Sequence, residues 1–481
     1  MSVRLFAHLS ALALLACSLA ACGGGGSNAS AVLPVSSLPD PGAASPPPLI
    51  PASTAIVPTH IPVWAFDEYN SMGSVASSSA VQKYVTYAGG GLNNTKALSD
   101  CNTSPKSCYA VFYVDPNLIY TTCPGTTQPP FVTAASESWY VHESGYSDFN
   151  HRLRNSYPRT CGGVATTTPV YLANDANSAV QSFMRNYLQT YGDAWDYYWM
   201  DDTKGRVLTQ GYGPSGGMCL DASNHYCWNT QEYATDSTVV SAHGSYATAM
   251  VHKNGSGMKF FFNGVGVQTS AISNLNIFAS SPNYSGAICE NCVVANNVIR
   301  TSLFGQVLTS MAQTNAIPNA KFILLGRGSA SAGSAAQIAQ RLVSTAIAWI
   351  GFADGRTIVF PDFEDNTRNL AAWPEDMLYP TAPKESMRSS ASDVAVAAGV
   401  WRREFGACYQ NGAPVGQCAA LVNSTGSAVT VSSAWLTQPY GHVVTISGGD
   451  ILSGGTVKLT TTSFVANRTT IPAGSALLLV R

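Results

Sequence analysis

Charged side chains are scarce in this sequence, and long apolar runs are missing from most of it. Asp, Glu, Lys and Arg make up only 11% of the 481 residues, and 27 acidic side chains nearly balance 25 basic ones. Because there is no basic stripe, nucleic acid is not expected as a partner. No segment after the N-terminal stretch reaches the roughly 18 apolar residues of a membrane-spanning helix. We therefore expect no transmembrane helix.

Several catalytic motifs are also absent. The eight histidines include no HExxH pair, which disfavours a zinc hydrolase. No GxSxG marks a serine nucleophile, and no GxGxxG follows the first predicted strand. The acidic group Asp362, Glu364 and Asp365 matches no EF-hand loop. We predict neither an organic cofactor nor a metal centre.

The first 22 residues carry the features of an export signal. Arg4 is followed by a short apolar stretch over 11–15 and by small residues up to Cys22. The end of this segment, Leu19–Cys22, resembles the lipobox of bacterial lipoproteins; an ordinary secretory signal cleaved nearby is the alternative. The resemblance implies that Cys22 is lipidated and that the protein is anchored in the cell envelope, at the outer membrane or facing the periplasm. The lipid would be its only membrane contact.

Cysteine usage agrees with export. Without Cys17 in the signal and Cys22 at the lipidation site, ten of the twelve cysteines remain, an even number. For Cys289 and Cys292, a zinc site and a redox-active CxxC are the alternatives to a structural bridge. We predict five local disulfides between sequence neighbours: Cys101–Cys108, Cys123–Cys161, Cys219–Cys227, Cys289–Cys292 and Cys408–Cys418.

The organisation of the chain predicts two folded domains after a linker. Residues 23–58 are rich in Ser, Pro, Ala and Gly and cannot bury a core, so they are predicted to be the linker. Over residues 59–395, a short apolar or aromatic run that ends in a polar residue occurs eight times, with helical stretches such as Ala335–Phe352 between several runs. The runs are Pro62–Glu68, Tyr109–Asp115, Pro169–Asn174, Tyr197–Asp202, Lys259–Gly264, Gly286–Glu290, Lys321–Gly328 and Arg356–Phe363.

Eight strands that alternate with helices predict an α/β fold, a (β/α)₈ TIM barrel, with an open doubly wound sheet as the alternative. Residues 121–168 would form an insertion after the second run. Residues 396–481 have a different sequence pattern, in which short predicted strands are separated by Gly, Asn and Ser turns. They predict a small C-terminal β-sandwich domain.

Polar side chains are concentrated at the predicted strand ends, although the chain has few charges. The C-terminal ends of barrel strands form the active-site face of a TIM barrel. The candidates there are Asp67, Asp115, Asp201, Asp202, Asn263, Glu290, Arg327 and Asp362, accompanied by the aromatic residues Trp64, Tyr113, Tyr198 and Trp199. Glycoside hydrolysis needs two carboxyl groups across the scissile bond, and aromatic faces suit sugar rings. Core packing is the alternative for the aromatic residues, and an Asn-Gly turn is the alternative for Asn263.

Three of these segments carry a family resemblance. Tyr197–Asp202, Phe260–Gly264 and Gly286–Glu290, followed by a terminal β domain, resemble the α-galactosidase-like and related barrel glycoside hydrolases. In that family an Asp on strand four is the nucleophile and a carboxylate on strand six is the acid/base. The resemblance implies that Asp201 or Asp202 is the nucleophile and that Glu290 is the acid/base. Glu290 stands where several relatives carry Asp.

The sequence therefore predicts a monomeric glycoside hydrolase that acts on a bacterial or environmental polysaccharide. Trp64, Asp67, Tyr113, Asp115, Asn263, Arg327 and Asp362 are its predicted substrate-binding residues. A non-catalytic glycan-binding surface lipoprotein and a structural envelope protein are the alternatives. A separation of about 5–10 Å between the nucleophile and acid/base carboxyl groups would favour the enzyme.

Overall fold

The computed structural model describes a defined part of the chain, in which two compact units are distinguished. One, the insertion unit, comprises 115–186 and 204–250; the other, the barrel unit, comprises 46–114, 187–203 and 251–481. The described residues are 60, 62–66, 77–91, 95–114, 118–120, 136–154, 159–161, 164–168, 170–201, 203, 230–263, 275, 277–295, 297–327, 334–362, 372–447, 451–452 and 459–481. Within these ranges, no helix is long and apolar enough to span a membrane.

Some predictions fall outside these ranges. They concern the export signal with Cys22, the linker, and Asp67, Asp115, Asp202, Glu364, Asp365, Cys123, Cys219 and Cys227. For Cys161, Arg327 and Asp362 only the backbone is described.

The barrel unit contains an eight-stranded parallel barrel. Its strands are β1 Trp64–Phe66, β2 Tyr87–Gly90, β3 Tyr109–Val114, β4 Tyr197–Met200, β5 Phe260–Asn263, β6 Tyr284–Glu290, β7 Lys321–Arg327 and β8 Thr357–Asp362. They pair in this order. A parallel bridge between Val63 and Val359, with a 2.9 Å bond from the Val359 N–H to the Pro62 carbonyl, brings the last strand against the first. The predicted TIM barrel is confirmed.

Seven of the eight predicted runs contain barrel strands, and one prediction is wrong. Val170–Leu172 lies in the insertion unit, where it pairs antiparallel with Leu118–Tyr120. This short run is buried along its whole length, so it has the same apolar sequence pattern as a barrel strand. The second barrel strand is instead Tyr87–Gly90, whose two glycines weaken the usual strand pattern. The insertion therefore follows the third barrel strand.

Aromatic side chains share the barrel interior with the branched aliphatic residues that are usual there. Trp64 packs on Phe261 and Trp199 with ring centroids 5.2 and 5.6 Å apart, and Tyr197 stacks on Phe261 at 4.7 Å. Gly286 on β6 makes room for this packing, because a Cβ there would lie 2.8 Å from the Phe261 ring. The centre of the barrel is thus a packed core that supports the strand ends.

Helices connect the strands. They are α1 Ser78–Tyr84, α2 Lys96–Cys101, α3 Ser178–Tyr191, α4 Asp236–Ala249, α5 Ile277–Ser280, α6 Phe304–Ala316 and α7 Ala335–Ile350. In α7, the Ser334 hydroxyl caps the first turn by accepting from the Gln337 N–H at 3.2 Å. At its other end, the buried Arg403 guanidinium donates to the Ile350 and Phe352 carbonyls at 2.8 and 2.6 Å, where a cation is favourable.

Arg403 belongs to the predicted C-terminal β domain, which is confirmed. Its strands are β9 Leu378–Pro383, β10 Ala395–Ala397, β11 Val400–Gln410, β12 Ala413–Asn423, β13 Val429–Thr430, β14 His442–Thr445, β15 Thr460–Ser463, β16 Thr470–Ile471 and β17 Ser475–Val480. All but β13 and β16 form one antiparallel sheet, and those two pair with each other. Leu421, Phe464 and Ile471 contribute to a core shared by both sheets. Strand β9 lies N-terminal to the predicted start at residue 396.

A buried ion pair links α7 to the segment before β9. Arg341 Nε and Nη2 each donate to the Glu375 carboxylate over 2.6 Å. Replacing Arg341 with Ala leaves the buried Glu375 charge uncompensated, so we expect the free energy of unfolding to fall by about 3–5 kcal/mol. Urea denaturation measures this loss. The double replacement Arg341→Met with Glu375→Leu is expected to recover most of it, and an unchanged single variant would contradict the prediction.

The insertion unit has its own small core, formed by Val141, Leu153, Tyr233, Val239 and their neighbours. A second short hairpin joins Arg159–Cys161 to Val164–Thr168. His243 Nδ1 lies 2.8 Å from Asp175 Oδ2 inside the unit. Burial raises the pKa of Asp175, and the His243 hydrogen bond opposes that shift.

Three of the five predicted disulfides are confirmed: Cys101–Cys108, Cys289–Cys292 and Cys408–Cys418. The first joins α2 to the residue before β3, the second lies at the end of β6, and the third joins β11 to β12. The other two predicted bridges each involve cysteines outside the described residues. Each of these three bridges joins cysteines no more than ten positions apart in the sequence.

Candidate active site

Three polar side chains meet where three neighbouring barrel strands end. Asp201 directly follows β4, Asn263 is the last residue of β5, and Glu290 is the last residue of β6. Asn263 Nδ2 donates to Asp201 Oδ1 at 2.8 Å and to Glu290 Oε2 at 2.6 Å. Because β5 lies between β4 and β6, a short amide on β5 reaches both carboxylates. One nitrogen therefore sets the spacing of the two acids.

The second oxygen of Asp201 is also hydrogen-bonded. The Tyr113 hydroxyl, on β3, donates to Asp201 Oδ2 at 2.8 Å. The Tyr113 ring packs edge-on against Trp199, with centroids 5.1 Å apart, which fixes the direction of the hydroxyl. Both oxygens of Asp201 thus accept from neutral donors, and hydrogen bonds of this kind favour the ionised carboxylate.

Strand alternation explains why Asp201 points to this site. Tyr197 and Trp199 belong to the packed interior of the barrel, so the residue two positions further along faces the same side. The Asp201 N–H donates to the Val114 carbonyl at 3.0 Å, which extends the pairing of β4 with β3 by one residue. Asp202, the other predicted nucleophile, lies outside the described residues.

Glu290 sits in a tightly closed loop. The Cys289–Cys292 disulfide encloses it, and both cysteines are buried. Asn291 adopts a left-handed backbone with φ of 57°, and its carbonyl accepts from Arg300 Nη1 at 2.9 Å. These contacts fix the chain on the C-terminal side of Glu290, so the carboxylate extends from a rigid backbone.

The aromatic residues predicted to face sugar divide into two groups. Trp64 is fully buried in the barrel interior, and Tyr198 lies on the other side of β4, where its hydroxyl donates to the Gly192 carbonyl at 2.7 Å. Both belong to the core. Trp64 lies inside the barrel below the rim, and Tyr198 lies on the outer face of β4. Tyr113 is half-buried and stands at the rim against Asp201.

The remaining predictions differ in what the structure says of them. Asn263, predicted to donate to a sugar hydroxyl, donates through Nδ2 to the Asp201 and Glu290 carboxylates in this structure. The position of Asn263 in the sequence could have predicted these contacts, because Asn263 ends the strand that lies between the strands of the two acids. The backbones of Arg327 and Asp362 pair in register at the ends of β7 and β8. Among the described side chains, no group of three His, Cys, Asp or Glu residues is arranged to hold a metal ion.

Comparison with known proteins finds only distant structural neighbours. No protein-family model and no curated protein matches this sequence. Glycoside hydrolases are among its structural neighbours. A GH30 endoxylanase from Clostridium papyrosolvens is 9% identical with a TM-score of 0.39, over 89% of this chain and 97% of that one. An α-galactosidase from Lactobacillus brevis is 9% identical with a TM-score of 0.41, over 88% and 55%.

A third neighbour is Ega3 from Aspergillus fumigatus, solved in complex with galactosamine. It is 11% identical with a TM-score of 0.36, over 67% of this chain and 98% of that one. At these identities and scores the neighbours assign no activity to this chain. The case for a function therefore rests on the arrangement of Asp201, Asn263, Glu290 and Tyr113.

Proposed function

We propose that this protein is a retaining glycoside hydrolase, with Asp201 as the nucleophile and Glu290 as the acid/base. The shared hydrogen-bond donor, Asn263 Nδ2, carries the proposal. The oxygen that it binds on Asp201 and the oxygen that it binds on Glu290 are at most about 5.4 Å apart, which is compatible with the carboxyl separation of about 5–5.5 Å in retaining glycosidases. Inverting enzymes need about 6.5–9.5 Å to admit a water between the two groups.

The hydrogen bonds to Asp201 support its role as the nucleophile. Its two oxygens accept from Tyr113 and Asn263, and hydrogen bonds of this kind favour the ionised form that would attack the anomeric carbon. Glu290 Oε2 accepts from Asn263, and we propose that the Glu290 carboxyl group carries the proton for the departing alcohol. The two carboxylates thereby have different tasks in one small site.

The proposed reaction proceeds in two displacements. Asp201 bonds to the anomeric carbon while the glycosidic bond breaks, and Glu290 gives its proton to the leaving oxygen. Glu290, now ionised, takes a proton from water as that water attacks the glycosyl-Asp201 ester. The new bond to water replaces the bond to Asp201, which leaves as a carboxylate. Glu290 is reprotonated and the sugar keeps its original anomeric configuration.

The proposed substrate is a polysaccharide or oligosaccharide bound at the rim around β4–β6. Asp67, Asp115, Arg327 and Asp362 follow or end other strands of the same barrel, and we propose that they bind the sugars beside the scissile bond. We also propose that the protein is a monomer, anchored in the cell envelope through a lipid on Cys22. Membrane fractionation of wild type and of Cys22→Ser tests the lipid anchor. We expect wild type in the membrane fraction and the variant to be released from it.

The stereochemistry of the product tests the proposed glycoside hydrolase activity and its mechanism. The purified protein is incubated with bacterial exopolysaccharides and with α- and β-aryl glycosides, and the first anomer released is followed by proton NMR. We expect hydrolysis with retention. Release of the inverted anomer would overturn the two-displacement mechanism. No hydrolysis of any substrate, together with binding of a glycan, would instead establish the non-catalytic binding protein.

Removing the Tyr113 hydroxyl tests the support of Asp201. A hydrogen bond to a charged group is worth about 1.5–3 kcal/mol, so Tyr113→Phe is expected to lower kcat/KM by roughly 10- to 100-fold. Tyr109→Phe is a matched control, because Tyr109 lies on the same strand, four residues earlier and away from the rim. Equal losses in the two variants would show that the effect comes from the strand and not from the Asp201 contact.

A further inference from the structure

Two exposed aromatic residues lie three positions apart in the sequence of the insertion unit. Within the described part of the chain, the exposed large hydrophobic side chains are Tyr146, Phe149, Val298 and Val465. Tyr146 is 44% exposed and Phe149 is 59% exposed. Exposed hydrophobic residues scattered singly are ordinary, but these two are linked, because the Tyr146 ring packs on His151 in the same short helix that carries Phe149.

Tyr146 is held in a fixed position. Its ring lies parallel to the His151 imidazole, with centroids 3.6 Å apart and planes 9° apart, and its N–H donates to the Glu143 carbonyl. His151 Nδ1 lies 3.0 Å from the Asp148 carboxylate, which also caps the short helix Phe149–His151 by accepting from the Asn150 N–H at 2.9 Å. The ring is therefore presented by an ordered turn.

Phe149 is supported by a network of charged side chains. Its ring lies 4.5 Å from the Arg152 guanidinium, which also lies 3.6 Å from the Tyr140 ring. Arg152 Nε donates to Glu137 Oε1 at 2.6 Å. The same Glu137 oxygen lies 3.0 Å from Nε2 of the buried His142. Because Arg152 is anchored from below, the exposed Phe149 ring has a rigid base.

Ionised acceptors border the two rings. The Asp148 side chain is 54% exposed and that of Glu137 is 35% exposed. The hydrogen bond from His151 lowers the pKa of Asp148, and the hydrogen bond from Arg152 lowers the pKa of Glu137. The surface thus combines flat apolar faces with carboxylate acceptors, which match the C–H faces and the hydroxyl groups of sugar rings.

This composition favours a sugar over a protein partner. A stable protein interface buries about 800 Å² on each side around an apolar centre that is depleted in charge. Here two rings are bordered at once by Asp148, Glu137 and Arg152, which leaves no large apolar centre. We propose that Tyr146 and Phe149 form a second carbohydrate-binding site, which holds the class of polymer that is cleaved at Asp201 and Glu290. This inference rests on the proposed function.

Affinity electrophoresis of the full chain tests the site. Wild type is run in native gels that contain dextran, xylan, galactomannan or partially deacetylated chitin, beside Tyr146→Ala/Phe149→Ala. We expect wild type to be retarded by at least one polymer, and the double variant to bind it about tenfold more weakly, because it lacks both aromatic faces. Tyr146→Phe/Phe149→Tyr keeps both rings and should restore retardation. Val298→Ser/Val465→Ser is the control for loss of exposed apolar side chains.

The outcomes separate this proposal from the enzyme. Equal retardation of wild type and the Ala variant, or retardation of wild type by none of the polymers, would overturn the second site even if hydrolysis occurs. Loss of retardation in the Ala variant alone would support it even if no hydrolysis is found. Circular dichroism checks that the variants are folded. A dimer of the wild type that the Ala variant loses in size-exclusion chromatography would reassign the surface to self-association and overturn the proposal.

Discussion

Asp201→Asn is expected to abolish hydrolysis, with kcat lowered by at least about 10⁴-fold for every substrate. The amide has nearly the shape of the carboxylate, so the fold and the substrate contacts remain. It cannot form the glycosyl ester, and one of its atoms becomes a donor that faces the Tyr113 or Asn263 donor. Rates on a polysaccharide and on an activated aryl glycoside should fall together, because the first displacement depends on this group in both cases.

The matched control is Asp196→Asn, five residues earlier in the chain. Asp196 accepts from Lys106 Nζ at 2.5 Å and from the Ala110 N–H at 2.8 Å, away from the strand ends that carry the site. We expect this variant to lose stability and keep its kcat. A second variant, Asp201→Gly, should regain turnover of an aryl glycoside in the presence of azide and give a glycosyl azide of inverted configuration. Normal turnover by Asp201→Asn would exclude Asp201 as the nucleophile.

The location of the site could be predicted from sequence because it depends on a simple rule. Parallel strands end at one rim, so Asp201 and Glu290, at the ends of the fourth and sixth strands, must lie on the same face of the barrel. The error over Val170–Leu172 did not affect this result. Tyr87–Gly90 replaced the lost strand on the same side of Tyr197–Met200, so the latter remained the fourth strand.

The contacts within the site could not be predicted in the same way. An Asn-Gly pair is an ordinary turn by its sequence, and only the position of β5 between β4 and β6 turns Asn263 into a bridge between two acids. Trp64 shows the opposite case. An aromatic residue near a strand end suggests sugar binding, but the packing of Trp199 and Phe261 around it assigns it to the core.

The second binding site was also beyond prediction from local sequence. Tyr146 and Phe149 lie in a region without a clear strand or helix pattern, and the network below them includes distant residues. His142 Nδ1 lies 2.7 Å from Glu232, which is 90 positions further along the chain. Such contacts arise from the tertiary fold of the insertion unit, and neither periodicity nor spacing in the sequence contains them.

Glu290→Gln is expected to slow hydrolysis in a way that depends on the leaving group. General acid catalysis contributes about 10²–10⁴-fold, so kcat on a polysaccharide should fall by that factor. A dinitrophenyl glycoside needs no protonation to depart, so its first displacement should stay fast. The glycosyl-Asp201 ester then accumulates, because no base activates the water of the second displacement. Dinitrophenolate should therefore appear as a burst followed by slow turnover.

Azide distinguishes loss of the acid/base from general damage to the site. It attacks the glycosyl ester without a base, so Glu290→Gln with azide should recover the steady rate and give a glycosyl azide of retained configuration. The azide product of Asp201→Gly has the opposite configuration, and the pair of products therefore assigns each carboxylate separately. Glu143→Gln, in the insertion unit, serves as the control and should behave as wild type. Equal slowing of Glu290→Gln on both kinds of leaving group, with no rescue by azide, would show that Glu290 supports the site without transferring a proton.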